Sequence, residues 1–270
     1  MRKSRNTYIL KGVAICIMLF VSPFIYAQDS ISSKRLHSTL YGVGASNVLD
    51  TYLSPYNYKG IDIRVMRETM RQTKNIGGHV FYQTFIDIDA AYLDNRSETS
   101  HEYAGGIRYA NAWMYKFDTP DVINLYAGLQ PSVYAGGIYH SRNGNNPAQA
   151  KVDIMLNATG LAEYNLHVFN KSFPLRYQLT IPLAGLAYSP NYGQSYYEEF
   201  VLGHYDHNIC FGNFVNMPSM RHLLTIDIPV RNNYLRVGWS GEFNQAKLNE
   251  IRYHSYSNNF VIGFTKFFYR

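Results

Sequence analysis

In YHSRNG (Tyr139–Gly144) a histidine and a serine stand side by side. Those residue types can do acyl-transfer chemistry when the imidazole takes the hydroxyl proton. On a β-strand, side chains share a face only at i and i+2. Here Ser141 directly follows His140, and Arg142 fills the position that would face the imidazole. A bulge would have to bring the pair together, with Asn157 or Asp153 of the following strand as the third polar group. The plainer interpretation is a loop hinge, because Asn143-Gly144 is a turn signal. His204, His207 and Cys210 straddle another turn without the ligand spacing of a zinc site. No metal and no cofactor is expected.

A second constellation is ionic. Asp62, Arg64, Asp87, Asp89, Arg108 and Arg176 fall on alternate positions of successive segments, joined by Glu68, Asp153, Glu163, Arg236 and Glu242. Charges of both signs in adjacent strands neutralise one another when enclosed, and a barrel bore of modest width fills with such side chains. The sharper alternative is a narrow selective channel through the same residues.

These side chains need long strands to position them. In KVDIMLNATGLAEYNLHVF (151–169) apolar residues alternate with polar ones over nineteen positions, several times a typical soluble strand. Val80 to Tyr92 and Leu175 to Leu183 repeat the pattern, with Gln83, Asp87 and Asp89, or Arg176, Gln178 and Thr180, on the opposite face. A soluble sandwich and a membrane barrel both alternate in this way, but about ten residues per strand is what a tilted strand needs to cross a bilayer. Short connectors at 73–78, 118–121, 170–174, 205–208 and 231–233 alternate with longer ones at 50–57, 94–100, 141–150, 189–196, 216–220 and 247–256. The expectation is an all-β chain: one transmembrane antiparallel barrel of about twelve strands, with both ends of the chain on the periplasmic side. The eighth and ninth strands are placed at about 197–204 and 208–214.

The ends of the chain fit that expectation. Residues 1–27 carry Arg2, Lys3, Arg5 and Lys11, then an apolar run broken by Pro23, which reads as a signal peptide cleaved after Ala27. Export would leave 28–270 as one barrel domain in the outer membrane of a Gram-negative cell. Taking four of the 25 basic residues and none of the 19 acidic ones leaves a net charge of +2. The remaining basic residues are scattered, so no nucleic-acid partner is expected. Cys16 departs with the leader, and Cys210 alone forms no intramolecular disulfide. Mean hydropathy is −0.25 despite 25 Tyr and 15 Phe, and no apolar run after residue 27 reaches membrane-helix length.

At the other end, NNFVIGFTKFFYR (258–270) predicts a last strand that pairs with the first and leaves no edge in lipid. Phe260, Ile262 and Phe264 then face hydrocarbon, Gly263 and Thr265 the interior, with Lys266 and Phe268 at the periplasmic boundary; the opposite parity stays open. Outer-membrane lipid and the barrel-insertion machinery, through this C-terminal strand, are the expected partners, although Arg270 follows the terminal aromatic. The repeat YAGGI, at Tyr103 and Tyr134, predicts a hairpin in which the two tyrosines nearly face each other in an aromatic girdle. The small-molecule ligand, if there is one, has no signature here.

Two resemblances add to this. YHSRNG is similar to the YHxSNG element of outer-membrane phospholipase A, a twelve-stranded barrel, and that likeness implies a lipid hydrolase with His140 as base and Ser141 as nucleophile. LDTYLSPYNYKG, SRNGNNPAQAKVDIMLNATG, SPNYGQSYYEEF and NMPSMRHLLTID resemble a family of exported proteins from Bacteroides-type bacteria, a domain of unknown function. The likeness runs from about Asp50 to the end and implies an outer-membrane barrel with no catalytic residues to transfer. The function expected is therefore non-enzymatic (binding, limited transport or envelope structure), with the hydrolase as the alternative.

Overall fold

The structure, a computed structural model, describes residues 35–120, 122–168, 171–231 and 233–268, the side chain of Phe268 excepted. The leader assigned to 1–27 and the terminal Tyr269 and Arg270 lie outside the described residues. Among the described residues eleven strands run in order: β1 (Arg35–Asp50), β2 (Tyr58–Gln72), β3 (Val80–Asp94), β4 (His101–Lys116), β5 (Ile123–His140), β6 (Ala148–Val168), β7 (Lys171–Tyr188), β8 (Ile209–Asn213), β9 (Ser219–Val230), β10 (Asn233–Leu248) and β11 (Ile251–Phe268). Ten of them close an antiparallel ring in chain order, with β9 following β7 and β11 pairing back onto β1. β8 stands outside the ring order and pairs with β7 alone. Tracing cross-strand partners once round from Arg35 returns to β1 at Asn47, a shear of twelve residues. Ten strands with that stagger tilt by about 40°.

The expected count of twelve strands is therefore corrected. The segment expected as an eighth strand is a helical turn (Tyr197–Val201) followed by a bend at Leu202 and by Gly203, whose φ is +68°. The expected ninth is β8, which runs down β7 in line with β9 rather than as a separate stave. Alternation could not distinguish these cases, because one stave interrupted by a loop has the same periodicity as two. The expected long connector at 247–256 is also wrong. β10 and β11 meet in a two-residue turn at Asn249 and Glu250, both with positive φ, as a tight hairpin requires.

Parity is as the alternation predicts. Tyr41, Val43, Ile61, Ile63, Phe260, Ile262 and Phe264 are exposed on the outer wall, while Ser38, Asp62, Arg64, Glu68, Asn259 and Thr265 are buried inside. This inverts the distribution of a soluble protein. Phe267 turns inward, against an apolar cluster that includes Leu36, Met70 and Phe81. Tyr92, Tyr103 and Tyr139 sit side by side on β3, β4 and β5. On β4, Trp113 and Tyr115 form the other aromatic level, with Tyr82 and Phe117. From Tyr103 to Trp113, at about 3.3 Å per residue and the tilt above, the apolar band is about 25 Å tall, the height of a bilayer core.

The YAGGI expectation needs correction. Tyr103 faces Tyr139, and Tyr134 faces Arg108. The hairpin is registered by its glycines, with Gly105 opposite Gly137 and Gly106 opposite Gly136. Tyr134 points into the lumen and lies over the space that Gly106 and Gly136 leave, since a Cβ on them would sit 2.5 and 2.8 Å from its hydroxyl. An aromatic ring laid over cross-strand glycines fills the gap in the wall.

Candidate functional site in the lumen

From the end that holds Arg35 of β1 and Phe267 of β11, the bore begins with an apolar floor. Leu36, Met70, Phe81, Met114, Tyr126 and Leu161 pack together there, all 9% exposed or less. Above it lies the first ionic tier. Arg176 of β7 donates from both Nη atoms to the two oxygens of Glu68 on β2, at 2.9 Å each, and from Nε to Glu163 at 2.9 Å. Arg236 of β10 donates to Glu68 at 2.9 Å and, through Nε and Nη2, to both oxygens of Asp227 at 2.7 Å. Gln83 and Gln178 exchange amide hydrogen bonds across the bore at 2.9 Å in each direction.

A second tier sits nearer the mouth. Arg64 donates to Asp87 at 3.1 Å and to Glu242 at 2.8 Å, and Arg108 donates to the other oxygen of Glu242 at 2.7 Å. β2 and β7 are five strands apart round the ring, and so are β4 and β10. Glu68–Arg176 and Arg108–Glu242 are thus spokes across the full diameter. Shared carboxylates gripped in forked geometry are the arrangement that offsets the desolvation of buried charge.

Over the second tier opens a cavity of about 130 Å³. Of the expected lumen residues, Asp62, Arg64, Asp89 and Arg108 line it, Asp87 lies in the second tier and Arg176 in the first. Sequence reasoning missed Tyr134, Lys151, Arg221 and Tyr253, which also line it. Arg221 was legible from the alternation of β9. Tyr134 was assigned to the wrong face by the misplaced hairpin register. Arg221 stands opposite Glu242 in the ladder, but both oxygens of Glu242 are taken by Arg64 and Arg108. Arg221 donates instead to Gln130 at 2.9 Å and has no carboxylate within 4.0 Å among the described residues. Asp89 and Asp153 likewise form no hydrogen bond or ion pair among the described residues, and Asp153 Oδ1 is buried without a partner.

Loops roof one side of the mouth. Asn143 donates to the Leu53 carbonyl at 2.8 Å, the Tyr196 amide donates to Asn146 Oδ1 at 2.9 Å, and Tyr52 Oη donates to Glu199 at 3.3 Å. Three of the four stretches that carry the sequence resemblance interlock here. Glu199 is fully buried, and burial pushes its carboxyl above the usual range, partly offset by the Tyr52 hydrogen bond. Burial and the nearby carboxylate of Glu199 push the Tyr52 phenol up as well.

A family described as "Protein of unknown function (DUF3316)" matches residues 13–270. The chain belongs to this family. No curated relative matches the sequence. Among solved structures, the chain is similar to the translocator domain of the autotransporter NalP from Neisseria meningitidis, with 11% identity, TM-score 0.41 and 98% of each chain covered. It is similar to the outer membrane protease OmpT from Escherichia coli, with 9% identity, TM-score 0.42, and 92% of this chain and 100% of that one covered. An outer membrane channel from Pseudomonas putida F1 gives 8% identity and TM-score 0.36, covering 92% and 100%. At these scores none of the three bears on what this DUF3316 chain does.

The Ser–His pair does not form. His140 is buried with Nε2 2.8 Å from Tyr58 Oη and 3.2 Å from Ser100 Oγ, while Nδ1 accepts the amides of Arg142 and Asn143 at 3.1 and 3.0 Å. Two amides on Nδ1 fix the tautomer with its hydrogen on Nε2, so the nitrogen that faces Ser100 is a donor and not a base. Ser141 Oγ accepts the His101 amide at 3.0 Å, away from His140. The histidine anchors a turn, as the hinge interpretation holds. His207 and Cys210 meet only through a 3.8 Å contact from Cys210 Sγ to the His207 carbonyl, and no metal-binding cluster occurs among the described residues.

Proposed function

We propose that this chain is an outer-membrane β-barrel that binds a small molecule in the outer half of its lumen and does not conduct ions. Its apolar band and girdles suit a bilayer, and the leader would deliver it across the inner membrane. The β11 strand, closing on β1, is the element the insertion machinery would handle. The observation that carries the proposal is the pair of spokes, Glu68–Arg176 and Arg108–Glu242, over an apolar floor. Ions crossing the bore would have to break both. The cavity above, with Arg221, Asp89 and Asp153 outside the ion-pair network, is where an external ligand would find unspent charge.

Planar bilayers test the closed lumen. The full protein should give no steady current steps, and stable conductance by the unmodified chain would overturn the proposal.

A further inference from the structure

We infer that the wall between β8 and β10 is a side door, through which a single-chain zwitterionic amphiphile from the outer leaflet places its head group in the cavity. The inference rests on the closed-barrel proposal above and names its ligand class and route.

β7 changes neighbours along its length. Leu175–Thr180 pair with β9, Ala184–Tyr188 pair with β8, and the register shifts between, at Leu156/Asn157 of β6. On the far side, β9 begins at Ser219 opposite Asn244, so Gln245–Leu248 of β10 pair with β11 on one edge and with no strand on the other. β8 likewise pairs on one edge. Open strand edges are costly against lipid; here Asn249 Nδ2 closes the outer end by donating to the Ser189 and His207 carbonyls at 3.1 and 3.0 Å, and Asn216 bridges the stretch below. Asn216 Nδ2 donates to the Phe211 carbonyl at 2.8 Å, its Oδ1 accepts the Asn213 amide at 2.8 Å, and its carbonyl accepts the Lys247 amide at 2.9 Å. The carboxamide fixes Asn216 on β8, and the carbonyl so placed reaches β10 where a strand would run.

The cavity lies directly behind this latch, lined there by Met217, Ser219, Met220, Asn244 and Gln245. Methionine is unbranched and adapts its shape to an inserted chain. On the lipid side, Phe211 is 61%, Phe214 53% and Val215 88% exposed, an apolar approach to the door. Below lie the ionic tiers, and above, loops roof the mouth.

The chemistry of the cavity selects the head group. Arg221, with no carboxylate within 4.0 Å among the described residues, would take an anion, and Asp89 and Asp153, with no ion pair among those residues, would take an ammonium group. A zwitterion supplies both charges on one small body, and its single chain would lie over Met217 and Met220 and leave between β8 and β10.

The full chain in phosphatidylcholine vesicles should bind lysophosphatidylethanolamine, one per barrel. Glycerophosphoethanolamine, the same head without the chain, should bind far more weakly. Arg221→Gln should weaken lysophospholipid binding by about tenfold or more, the loss expected for a charged hydrogen bond. Asn216→Leu removes both carboxamide bonds and should speed uptake severalfold at nearly unchanged affinity, whereas Met217→Trp, which fills the passage, should slow it. Folding of each variant is checked by heat-modifiability on gels. Equal affinity for the chainless head, or uptake rates indifferent to both Asn216→Leu and Met217→Trp, would overturn the side door. A barrel that is electrically silent and takes up neither probe would overturn this inference and leave the closed-barrel proposal standing.

Discussion

Arg176 on β7 grips both oxygens of Glu68 on β2 at 2.9 Å, a forked ion pair that spans the whole diameter of the barrel. Glu68 also receives Arg236, so one carboxylate balances two guanidinium groups, each with a second acid of its own in Glu163 and Asp227. The tier sets three carboxylates against two guanidinium groups, and Glu68 is the member that ties the two halves together across the bore. Its stability contribution is therefore a property of the set.

Removing Glu68 alone should be costly. Glu68→Gln leaves Arg176 and Arg236 with one acid each but takes the charge from three hydrogen bonds across the bore, and about 1.5–3 kcal/mol of stability should be lost. Glu68→Leu combined with Arg176→Leu also takes from Glu163 its guanidinium partner and should be less stable than Glu68→Gln, because a carboxylate is then left unpaired in the bore. Urea titration of the lipid-embedded barrel, followed by its heat-modifiable band, separates the two outcomes. If the single and double variants unfold at the same urea concentration, the spoke has no structural role.

The glycine register in the β4–β5 hairpin makes a second prediction. A Cβ at Gly106 meets the Tyr134 ring at 2.5–2.6 Å, and the Ala135 carbonyl at 2.8 Å. Gly106→Ala should cost about 1–3 kcal/mol through overpacking. In a Tyr134→Ala background the same change should cost less, since the ring is gone and part of the clash with it. Gly160→Ala is the control, because its nearest neighbour lies at 3.8 Å, and it should leave stability unchanged. Equal penalties at 106 and 160 would show that the ring does not occupy that space.

The His140 geometry bears on the hydrolase alternative. His140→Ala with Ser141→Ala should leave phospholipid turnover in reconstituted vesicles at the background of the unmodified chain. His140→Ala by itself should destabilise the β5–β6 turn by about 1–3 kcal/mol, because Tyr58 Oη and two backbone amides lose their partner. That loss should appear as faster proteolysis of the loop. Turnover abolished by the double variant would restore the enzyme.

Much of this was legible in the sequence, for a physical reason. Strands of fifteen to twenty-one residues carry enough period-two signal to fix which side chains share a face. Glu163–Arg176 and Asp227–Arg236 are also ladder neighbours, within reach of local reasoning. The spokes were not, since Glu68 meets Arg176 only through closure of the ring with a particular stagger, which no local pattern encodes. The stretch from 189 to 220 defeated strand assignment because its polar residues are spent on structure: Glu199 is buried, and Asn216 stands in for a strand.

Buried Glu199 gives the roof a pH dependence. Its folded-state carboxyl titrates above the ordinary value, so the docked loop holds the proton more tightly than the free loop. The sign follows from linkage. The stabilisation is fully present below the ordinary carboxylate range and is lost as pH rises through the raised value. Neighbouring Glu198, half-buried and held by Ser195, is shifted the opposite way, and a group so near the surface adds little. Amide exchange in 189–208 should therefore be slower at pH 4.5 than at pH 7.5, and Glu199→Gln, which cannot ionise, should remove most of that difference while keeping an acceptor for Tyr52. Exchange that slows as pH rises, after correction for intrinsic rates, would mean that the Tyr52–Glu199 contact does not hold the roof in place.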